Sequence, residues 1–345
     1  MKKKVLIGIS GGVDSASSAY LLKKQGYDVT GVTLWLFDSE NMDIAIKDGK
    51  KVCEILEIPH IVLDFREKFS EKVVKYFYDE YIEGRTPNPC VRCNIQIKFG
   101  LLYDYAIEKG YDYLSTGHYV NVEYDKDLGE YKLLKGDVER KDQSYFLYHL
   151  SQEKLSKLVF PLAGVKSKDE TRGISEEIGK FVSEKKDSQG ICFIKKESYQ
   201  EEIESRVGNS SGNFIDVNGN ILGQHDGYYK FTIGQKRKLG IQLEVPLSVI
   251  SINSRNGDIL LGDDSLTYSK GCELVDFKFN TDYSKYLGEV MEVKICQWGY
   301  YIKCKFKVTN EKVIVEFLDP ERAVAKGQHG VLYYGDRIIG GGKIV

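Results

Sequence analysis

The sequence predicts an α/β N-terminal domain with a doubly wound parallel sheet, followed by a small linking domain and a C-terminal β-barrel. Through the first half, apolar strand-like runs alternate with helical stretches, which is typical of a parallel sheet covered by helices on both faces. After about Tyr199, short strands separated by Gly, Asn and Asp turns replace the helical periodicity. A length of 345 residues suits two or three domains. We expect them at 1–199, 200–268 and 269–345.

The elements of the first half follow from periodicity. Residues 5–9 form an apolar run that ends in a Gly-rich turn; a helix over 15–25 and a strand over 29–37 follow. A strand is expected at 61–65. It precedes a long helix whose apolar residues fall four apart, on one face: Phe69, Val73, Phe77 and Tyr81. The similar stretches 21–29 and 106–114 each predict a helix end, a Gly at C′ and a new strand.

The second half is predicted to be β-structure. Turns are expected at 218–220, 256–258 and 334–337. Within 301–308, Ile302, Cys304 and Phe306 alternate with lysines, the period-2 pattern of a half-buried strand. The exposed lysines of this strand, and the basic run 236–238, either bind phosphates or form an ordinary solvated surface; the sequence leaves both interpretations open.

Charge and hydropathy exclude several classes of protein. Lys and Arg total 49 against 51 Asp and Glu, a net charge of −2, so the chain is not basic overall. The apolar run near the N-terminus is short and soon interrupted, which indicates a buried strand and not a signal peptide. No stretch approaches about 20 apolar residues, so no membrane span is expected. We expect a cytoplasmic protein without a disulfide framework, since its seven cysteines are an odd number.

A Gly-rich segment, Ser10-Gly11-Gly12-Val13-Asp14-Ser15, lies between the first strand and the first helix. Glycines let the backbone approach an anion, and the helix N-terminus adds free N–H groups and partial positive charge. Ser10 and Ser15 can donate to phosphate oxygens, while Asp14 suits such a loop only as a Mg²⁺ ligand or a helix cap. The Gly-Lys-Ser/Thr of the ordinary P-loop is missing, which disfavours γ-phosphate transfer. The segment resembles the PP-loop of ATP pyrophosphatases, which cleave ATP between the α- and β-phosphates and adenylate an oxygen of the substrate.

Three cysteines are candidates for chemistry. Cys90 and Cys93 follow two prolines, in a loop expected to be extended ahead of a helix beginning near Asn94. At a helix N-terminus beside Arg92, the Cys93 thiol is expected to have a lowered pKa. Cys192 lies in the stretch 187–193, Asp-Ser-Gln-Gly-Ile-Cys-Phe. The other four cysteines are interpreted as core residues, Cys53 on a helix and three in strands: Cys272, Cys296 and Cys304.

The order of these motifs resembles the tRNA-uridine 2-sulfurtransferases, the 2-thiouridylase MnmA family, over nearly the full length. Further matching stretches are 115–119 (STGHY), 141–147 (KDQSYFL), 233–237 (IGQKR) and Gly327-Gln328. The resemblance implies that ATP, with Mg²⁺, adenylates O2 of the wobble uridine in the anticodon stem-loop of a tRNA. Sulfur carried as a persulfide on Cys192 then replaces this oxygen, and Cys93 acts as a nucleophile, either releasing sulfide or closing a disulfide with Cys192. The sulfur donor would be a carrier-protein persulfide or free sulfide.

The resemblance also implies two sets of binding residues. The expected ATP-binding residues are Gly8, Ile9, Ser10, Gly11, Gly12, Val13, Asp14, Ser15, Leu34 and Gly117. The expected tRNA-binding residues are His118, Lys141, Asp142, Gln143 and Gln328.

The sequence departs from this family in two places. Cys90 stands where the commonest form of the family has aspartate, so that Cys90, Cys93 and Cys192 match the pattern of a [4Fe–4S] cluster with one open iron. Our hypothesis is that these three thiols ligate such a cluster, whose open iron would carry sulfide in place of the persulfide. Residues 297–301 (QWGYY) replace an Arg-Tyr pair that the family often has in a tRNA-contacting hairpin.

Other functions remain open at this level. A PP-loop amidotransferase or ligase acting on a small acid would not need the three thiols. A non-catalytic RNA-binding module would bind tRNA without releasing AMP. A thiolase acting at another tRNA position is disfavoured by the wobble-family motifs.

Overall fold

The computed structural model describes residues 2–185, 190–194, 199–208 and 210–345. Asp187, Ser188 and Gln189 of the predicted cysteine motif lie outside these ranges. The α-helices are α1 Val13–Lys24, α2 Glu40–Ile55, α3 Arg66–Phe69, α4 Lys75–Ile82, α5 Pro89–Cys93, α6 Leu102–Glu108, α7 Gln152–Leu155, α8 Lys168–Glu176, α9 Lys180–Ser183 and α10 Tyr199–Val207. The strands are β1 Lys4–Gly8, β2 Asp28–Trp35, β3 His60–Asp64, β4 Tyr113–Ser115, β5 Asn121–Asp125, β6 Glu130–Leu134, β7 Leu158–Val159, β8 Gly212–Ile215, β9 Ile221–His225, β10 Ser248–Ile252, β11 Ile259–Gly262, β12 Tyr268–Phe279, β13 Met291–Lys294, β14 Ile302–Val308, β15 Val313–Arg322, β16 His329–Tyr334 and β17 Arg337–Ile344.

The first sheet is parallel and has the order β3-β2-β1-β4-β7, as the alternating pattern predicts. Its central strand β1 is fully buried over Val5–Ile7 because helices cover both faces. The helix ends that precede β2 and β4 both turn at a glycine in the left-handed region, Gly26 at φ +87° and Gly110 at φ +76°. The two similar sequence stretches, 21–29 and 106–114, therefore form the same helix-to-strand turn.

Two helical stretches of this domain contain π-helical segments. Between α3 and α4 the chain is π-helical over Ser70–Val74, and between α5 and α6 over Asn94–Leu101. The predicted apolar face of the first stretch is confirmed, since Phe69, Val73 and Phe77 are at most 1% exposed. A π-helical segment moves the following side chains around the helix axis, and such segments are frequent at functional sites.

The second half has the predicted β-structure. A four-stranded sheet has the order β10-β11-β8-β9. Strands β12, β15, β14, β13, β16 and β17 then form a ring that the β12–β17 pairing closes, which confirms the predicted C-terminal barrel. In β14, Ile302, Cys304 and Phe306 are buried while the lysines between them face outward, as the alternation predicts.

A hairpin of the N-terminal half extends the barrel sheet. Strands β5 and β6 pair with each other, and Leu134 of β6 pairs with Arg337 of β17. An ion pair between Arg337 and Glu130 (2.9 Å), with both side chains nearly buried, reinforces this junction. The barrel is therefore attached to the domain that carries the phosphate loop.

No helix in the described ranges is long and apolar enough to cross a membrane.

Candidate functional site

The phosphate loop lies where the strand order of the parallel sheet reverses. From β1 the chain proceeds to β2 on one side, and β4 pairs with β1 on the other. In doubly wound sheets the crevice at the carboxyl ends of two such strands is the usual ligand site. The loop 10–15 follows β1, and Gly117 follows β4, so both motifs lie at this crevice.

The loop is closely packed against its surroundings. Gly11 adopts φ +69°, and a Cβ at this position would lie 2.7 Å from Cβ of Asp48 in α2. A Cβ on Gly117 would lie 2.9 Å from the backbone C of Asp14 and N of Ser15. Gly11 is required by its left-handed φ and by the nearby Asp48 side chain, and Gly117 because no Cβ fits against the backbone of the loop.

Hydrogen bonds within the loop hold its shape. The Ser15 hydroxyl donates to the carbonyl of Gly12 (3.1 Å) and accepts from the backbone N–H of Ser10 (3.1 Å). Gly12 is the N-cap of α1 and offers no side-chain cap, so the first N–H groups of α1 have no partner within the helix. This arrangement suits an anion.

The other expected ATP-binding residues frame the loop. Gly8 ends β1, and the buried side chains of Ile9 and Val13 fix the loop to the core. Leu34, half-buried near the end of β2, packs against the apolar clusters beneath the crevice. Whether these residues contact ATP stays a prediction.

Asp14 does not cap α1, so one of the two roles considered for it from the sequence is wrong. The N-cap is Gly12, and the Asp14 carboxylate accepts from the Lys168 ammonium (2.6 Å) and the Tyr119 hydroxyl (2.7 Å), both at Oδ1. The role of Asp14 as a Mg²⁺ ligand stays a prediction.

A second lysine reaches the loop from the segment after α9. The Lys185 ammonium donates to the carbonyl of Gly11 (2.9 Å) and pairs with Asp48. The sequence reasoning did not identify Lys168, Lys185 or Tyr119 as part of the site. Tyr119 is part of the STGHY stretch, and Lys185 lies two residues before the DSQGICF stretch. Their closeness to these motifs is the one feature of the sequence that points to them.

The cysteine loop differs from the prediction. A helix begins at Pro89, not near Asn94, because the Asn88 side chain caps it by accepting from the N–H of Val91 (3.2 Å). Cys93 is the last residue of this short helix, and the chain continues directly into the π-helical segment. Cys93 therefore does not lie at a helix N-terminus.

The expected low pKa of Cys93 is wrong for the same reason. Burial raises the pKa of its thiol to about 11, and a helix N-terminus is not there to oppose this. The Arg92 guanidinium does not compensate, since it donates to the carbonyl of Lys72 (3.2 Å) and lies over the ring of Tyr76.

The structure brings the three candidate thiols together. Burial, together with a smaller contribution from Cys93 and Cys90, raises the pKa of Cys192 to about 12. The ring of Phe193 anchors this segment, with centroids 5.6 Å from Phe69 and 5.4 Å from Phe77. Cys93 packs in the same apolar cluster as Phe193. Cys90 and Cys192 retain exposed surface, so the group faces solvent on one side.

This cysteine group lies at the same edge of the sheet as the phosphate loop. Its apolar cluster includes Leu34 of β2 and Leu36 and Phe37, which directly follow β2. The carboxyl ends of parallel strands share one edge. The cysteines and the loop after β1 are therefore neighbours along that edge.

The three thiols are also the expected ligands of a [4Fe–4S] cluster. In the described ranges, no group of three or more His, Cys, Asp or Glu side chains is arranged to hold a metal ion. The thiolates of a cluster bind different iron atoms and lie farther apart than the ligands of one ion, so a cluster on these cysteines stays a prediction.

The remaining cysteines largely match their interpretation as core residues. Cys53, Cys272 and Cys304 are buried. Cys296 is the exception: it is half-buried in a turn after β13, and not in a strand.

Most of the expected tRNA-binding residues have structural partners. His118 is 5% exposed, shares a hydrogen bond of 2.7 Å with Thr116, and lies against Phe99. The Asp142 carboxylate accepts from the N–H of Gly136 and from Ser144.

Gln143, Lys141 and Gln328 complete that set. The Gln143 side chain accepts from the N–H of Tyr119 (3.1 Å), and Lys141 is half-buried in a 3₁₀ turn. Gln328 donates to the carbonyl of Thr86, at the start of the cysteine loop. Contact of these residues with tRNA stays a prediction.

The two basic surfaces are partly neutralised. In β14 Lys307 pairs with Glu316 (2.7 Å), and Lys236 pairs with Asp264 (2.8 Å). In the 297–301 segment the Trp298 side chain is 85% exposed.

Comparisons with known proteins agree with this architecture. Residues 3–196 match the family profile described as "tRNA methyl transferase HUP domain", 200–263 match "tRNA methyl transferase PRC-barrel domain", and 269–344 match "Aminomethyltransferase beta-barrel domain". The chain is thus a HUP-domain protein of the PP-loop, ATP-utilising class with two further β domains.

Relatives named tRNA-specific 2-thiouridylase MnmA match the entire chain. The similarity is 44% identity to MnmA 2 of Fusobacterium nucleatum, over 99% of both chains. It is 43% to MnmA of Clostridioides difficile, over 100% of this chain and 98% of that one, and 40% to MnmA of Caldicellulosiruptor saccharolyticus, over 100% and 99%. The chain belongs to the MnmA family of tRNA-specific 2-thiouridylases.

Among solved structures, the chain resembles a U34-tRNA thiolase NcsA from Methanococcus maripaludis with its [4Fe–4S] cluster. The identity is 22%, over 59% of this chain and 63% of that one, with a TM-score of 0.36.

Proposed function

We propose that this protein uses ATP to replace O2 of the wobble uridine of tRNA with sulfur. The observation that carries the proposal is that one edge of the sheet holds both the anion-binding loop and three grouped thiols. A uracil oxygen is a poor leaving group, so it must be activated before a sulfur nucleophile can displace it. Adenylation supplies that activation, and the adjacent thiols carry the donated sulfur as a persulfide.

The first step takes place at the loop. The N–H groups at the start of α1, that of Ser15 among them, and the Ser10 hydroxyl bind phosphate oxygens of ATP. O2 of the uridine attacks the α-phosphorus, the bond to pyrophosphate breaks, and the uridine is left adenylated at O2. We propose that Mg²⁺ arrives with the nucleotide and neutralises its phosphates; Asp14, the carboxylate of the loop 10–15, would hold it while its Oδ1 pairs with Lys168.

The second step takes place at the cysteines. The terminal sulfur of a Cys192 persulfide attacks C2, and AMP leaves with the electron pair of the C2–O bond. The Cys93 thiolate then attacks Sγ of Cys192, which releases the thiouridine and leaves a Cys93–Cys192 disulfide. Alternatively, Cys93 attacks first and releases sulfide, which then attacks C2. In both routes two thiols are oxidised to a disulfide, and an external thiol must reduce it before the next turnover.

The sulfur source and the cellular location are also proposals. A carrier-protein persulfide can transfer its outer sulfur to the Cys192 thiolate, which is exposed. Free sulfide would instead attack the Cys93–Cys192 disulfide at Sγ of Cys192, with Cys93 leaving as the thiolate, which forms the same persulfide. We place the reaction in the cytoplasm, where thiols remain reduced and the Cys93–Cys192 pair can be regenerated.

A [4Fe–4S] cluster on Cys90, Cys93 and Cys192 is the alternative to the persulfide. The observation in its favour is the grouping of the three thiols. The steps above are written for the persulfide and none is routed through a cluster. Iron and sulfide analysis of anaerobically purified protein decides between the two: a colourless, iron-free, active enzyme supports the persulfide, and activity that requires bound iron supports the cluster.

The function is tested with ATP, a carrier-protein persulfide as the sulfur donor and an unmodified tRNA transcript, followed by mass analysis of the nucleosides. We expect 2-thiouridine at the wobble position, one AMP released for each one formed, and none with Cys192→Ser. Cys296→Ser, which changes a cysteine in a turn of the barrel region, is the matched control and should remain active. AMP release that survives alkylation of all thiols would instead indicate a ligase acting on another substrate. Binding of tRNA without AMP release would indicate a non-catalytic module.

A further inference from the structure

One cation in the site has no role in the proposed steps, and this is Lys98. It lies in the π-helical segment Asn94–Leu101, between two buried residues that face different parts of the site. Ile97 packs in the cluster that holds Cys93 and Phe193, while Phe99 lies against His118 with ring centroids 5.7 Å apart. Lys98 is thus placed between the cysteine group and the residue that follows Gly117.

The π-helical segment determines which way Lys98 points relative to Cys93. In an α-helix, residues five apart lie about 140° apart around the axis. In a π-helix the hydrogen bond joins residues five apart, as the N–H of Leu102 does with the carbonyl of Ile97, so such residues lie near one face. Lys98 is five residues after Cys93 and therefore lies near the face that carries that thiol.

Lys98 has no counter-charge in the part of the chain that the structure describes. Its side chain is half-buried, yet no described carboxylate forms an ion pair with it. The two lysines at the phosphate loop differ in this respect, since Lys168 holds Asp14 and Lys185 holds Asp48. A half-buried ammonium group without a partner is costly unless an anion occupies the site during function.

The groups around Lys98 are those of the reaction. Its charge opposes burial at all three thiols, lowering the pKa values of Cys90, Cys93 and Cys192, although burial remains the larger effect at each. It also contributes to the lowered pKa of His118, so this ring stays neutral and does not compete for an anion. Arg92, the nearest cation in sequence to Cys93, faces away from that thiol.

We propose that the Lys98 ammonium is the counter-ion of the sulfur that attacks the adenylated uracil, and a further catalytic residue of this enzyme. The attacking sulfur is anionic whether it is the end of a persulfide or free sulfide. When it attacks C2, its electron pair forms the C–S bond, negative charge moves onto the pyrimidine, and AMP leaves with the C2–O pair. An ammonium group fixed beside the sulfur stabilises this charge at both stages. The proposal rests on the proposed function for its substrate, but the presence of the positive charge can be tested without tRNA.

The first experiment measures the local charge directly. Each cysteine is alkylated with iodoacetate, which is anionic, and with iodoacetamide, which is neutral, and the ratio of the two rates is determined by mass spectrometry. The same thiolate attacks both reagents and displaces iodide from each, so the ratio of rates cancels the fraction of the thiol that is ionised and reports the electrostatic potential at the sulfur. We expect Lys98→Gln to lower this ratio about fivefold to tenfold at Cys90 and Cys192, and Lys98→Arg to preserve it. Lys75→Gln, which removes an exposed lysine paired with Asp79 on α4, is the matched control. An unchanged ratio in Lys98→Gln overturns the proposal, whatever the activity.

The second experiment separates chemistry from binding. We expect Lys98→Gln to bind ATP as the wild type does but to form thiouridine at least about tenfold more slowly, while Lys98→Arg retains most of the rate. Lys98→Ala should regain part of its rate with added methylammonium, which a purely structural defect would not. The inference is contradicted if Lys98→Gln and Lys98→Arg lose the same fraction of the thiolation rate and methylammonium restores none of the rate of Lys98→Ala. A wild-type enzyme that makes no thiouridine contradicts the proposed function instead and leaves the alkylation result to decide the charge.

Discussion

The side-chain amide of Gln328 donates a hydrogen bond of 3.0 Å to the carbonyl of Thr86, across 242 residues of sequence. The backbone N–H of Thr86 donates in turn to the carbonyl of Lys326 (2.8 Å), and a Cβ on Gly327 would lie 2.9 Å from Cβ of Arg85. The chain leading into the last two barrel strands thus packs directly against the start of the cysteine loop. This contact gives Gln328 a structural role that does not depend on tRNA.

Replacement of Gln328 by alanine tests this role. We expect the free protein to lose about 0.5–1.5 kcal/mol of stability, because the Thr86 carbonyl loses its side-chain donor. Thiolation should fall while ATP binding stays unchanged, since the loop 10–15 is not involved. Thermal unfolding without tRNA is the deciding measurement, with Gln242→Ala, at an exposed position, as the control. If Gln328→Ala slows thiolation but unfolds at the wild-type temperature, Gln328 acts on tRNA alone.

A methyl group at Gly117 is expected to displace the phosphate loop. In Gly117→Ala, the new Cβ would lie 2.9 Å from two backbone atoms of the loop, which cannot move aside as a flexible side chain can. We expect a loss of about 1–3 kcal/mol in stability and at least about tenfold weaker ATP binding, measured by calorimetry. Gly164→Ala is the matched control, since nothing lies within 4 Å of its Cβ position. Normal ATP binding by Gly117→Ala would show that the loop does not need this close approach.

Buried histidines should make the protein sensitive to acid. Burial lowers the pKa values of His149 and His329 to about 3, and that of His118 well below its usual value. Between these values and about 6.5, the unfolded chain binds protons that the folded chain does not. The contribution of the neutral buried histidines to the free energy of unfolding is therefore fully present well above pH 6.5. It falls as the pH decreases below this value, by at most about 1.4 kcal/mol per pH unit for each histidine.

Urea unfolding at pH 7.5 and pH 5.5 measures this effect. The carboxylates also contribute to acid sensitivity, so the comparison of wild type with His149→Phe isolates one ring. We expect the variant to lose about 1.4 kcal/mol less between pH 7.5 and pH 5.5, because phenylalanine takes up no proton. An identical pH dependence in both proteins would mean that His149 takes up its proton over the same pH range in the folded and unfolded states.

The sequence predicts the architecture well where a local pattern determines it. The alternation in β14, the helix face of Phe69, Val73 and Phe77, and the glycine turns at Gly26 and Gly110 depend on neighbours in the chain and are all confirmed. The Gly-rich loop is likewise found between β1 and α1.

The predictions that failed depend on tertiary contacts. The low pKa expected for Cys93 assumed that a helix begins after it, but the Asn88 cap starts the helix at Pro89, and burial then dominates. The pairing of Asp14 with Lys168 joins residues 154 positions apart, and no local pattern encodes it. The attachment of β6 to β17 is likewise determined by pairing between distant segments.

Cys90 distinguishes the two routes of sulfur transfer. It is exposed, and the persulfide route uses only Cys93 and Cys192, so Cys90→Ser should retain thiolation within about twofold of the wild-type rate, as expected for a surface substitution. Cys90→Asp, which installs the residue of the commonest family form, should also remain active.

A cluster would lose one of its three protein ligands in either variant, so both would then lose bound iron and activity together. The decisive measurement is the thiouridine yield and iron content of the same anaerobic preparations, with Cys93→Ser as the inactive reference in both routes. Loss of activity in Cys90→Ser without any iron in the wild type would contradict both routes and assign Cys90 a direct part in the chemistry.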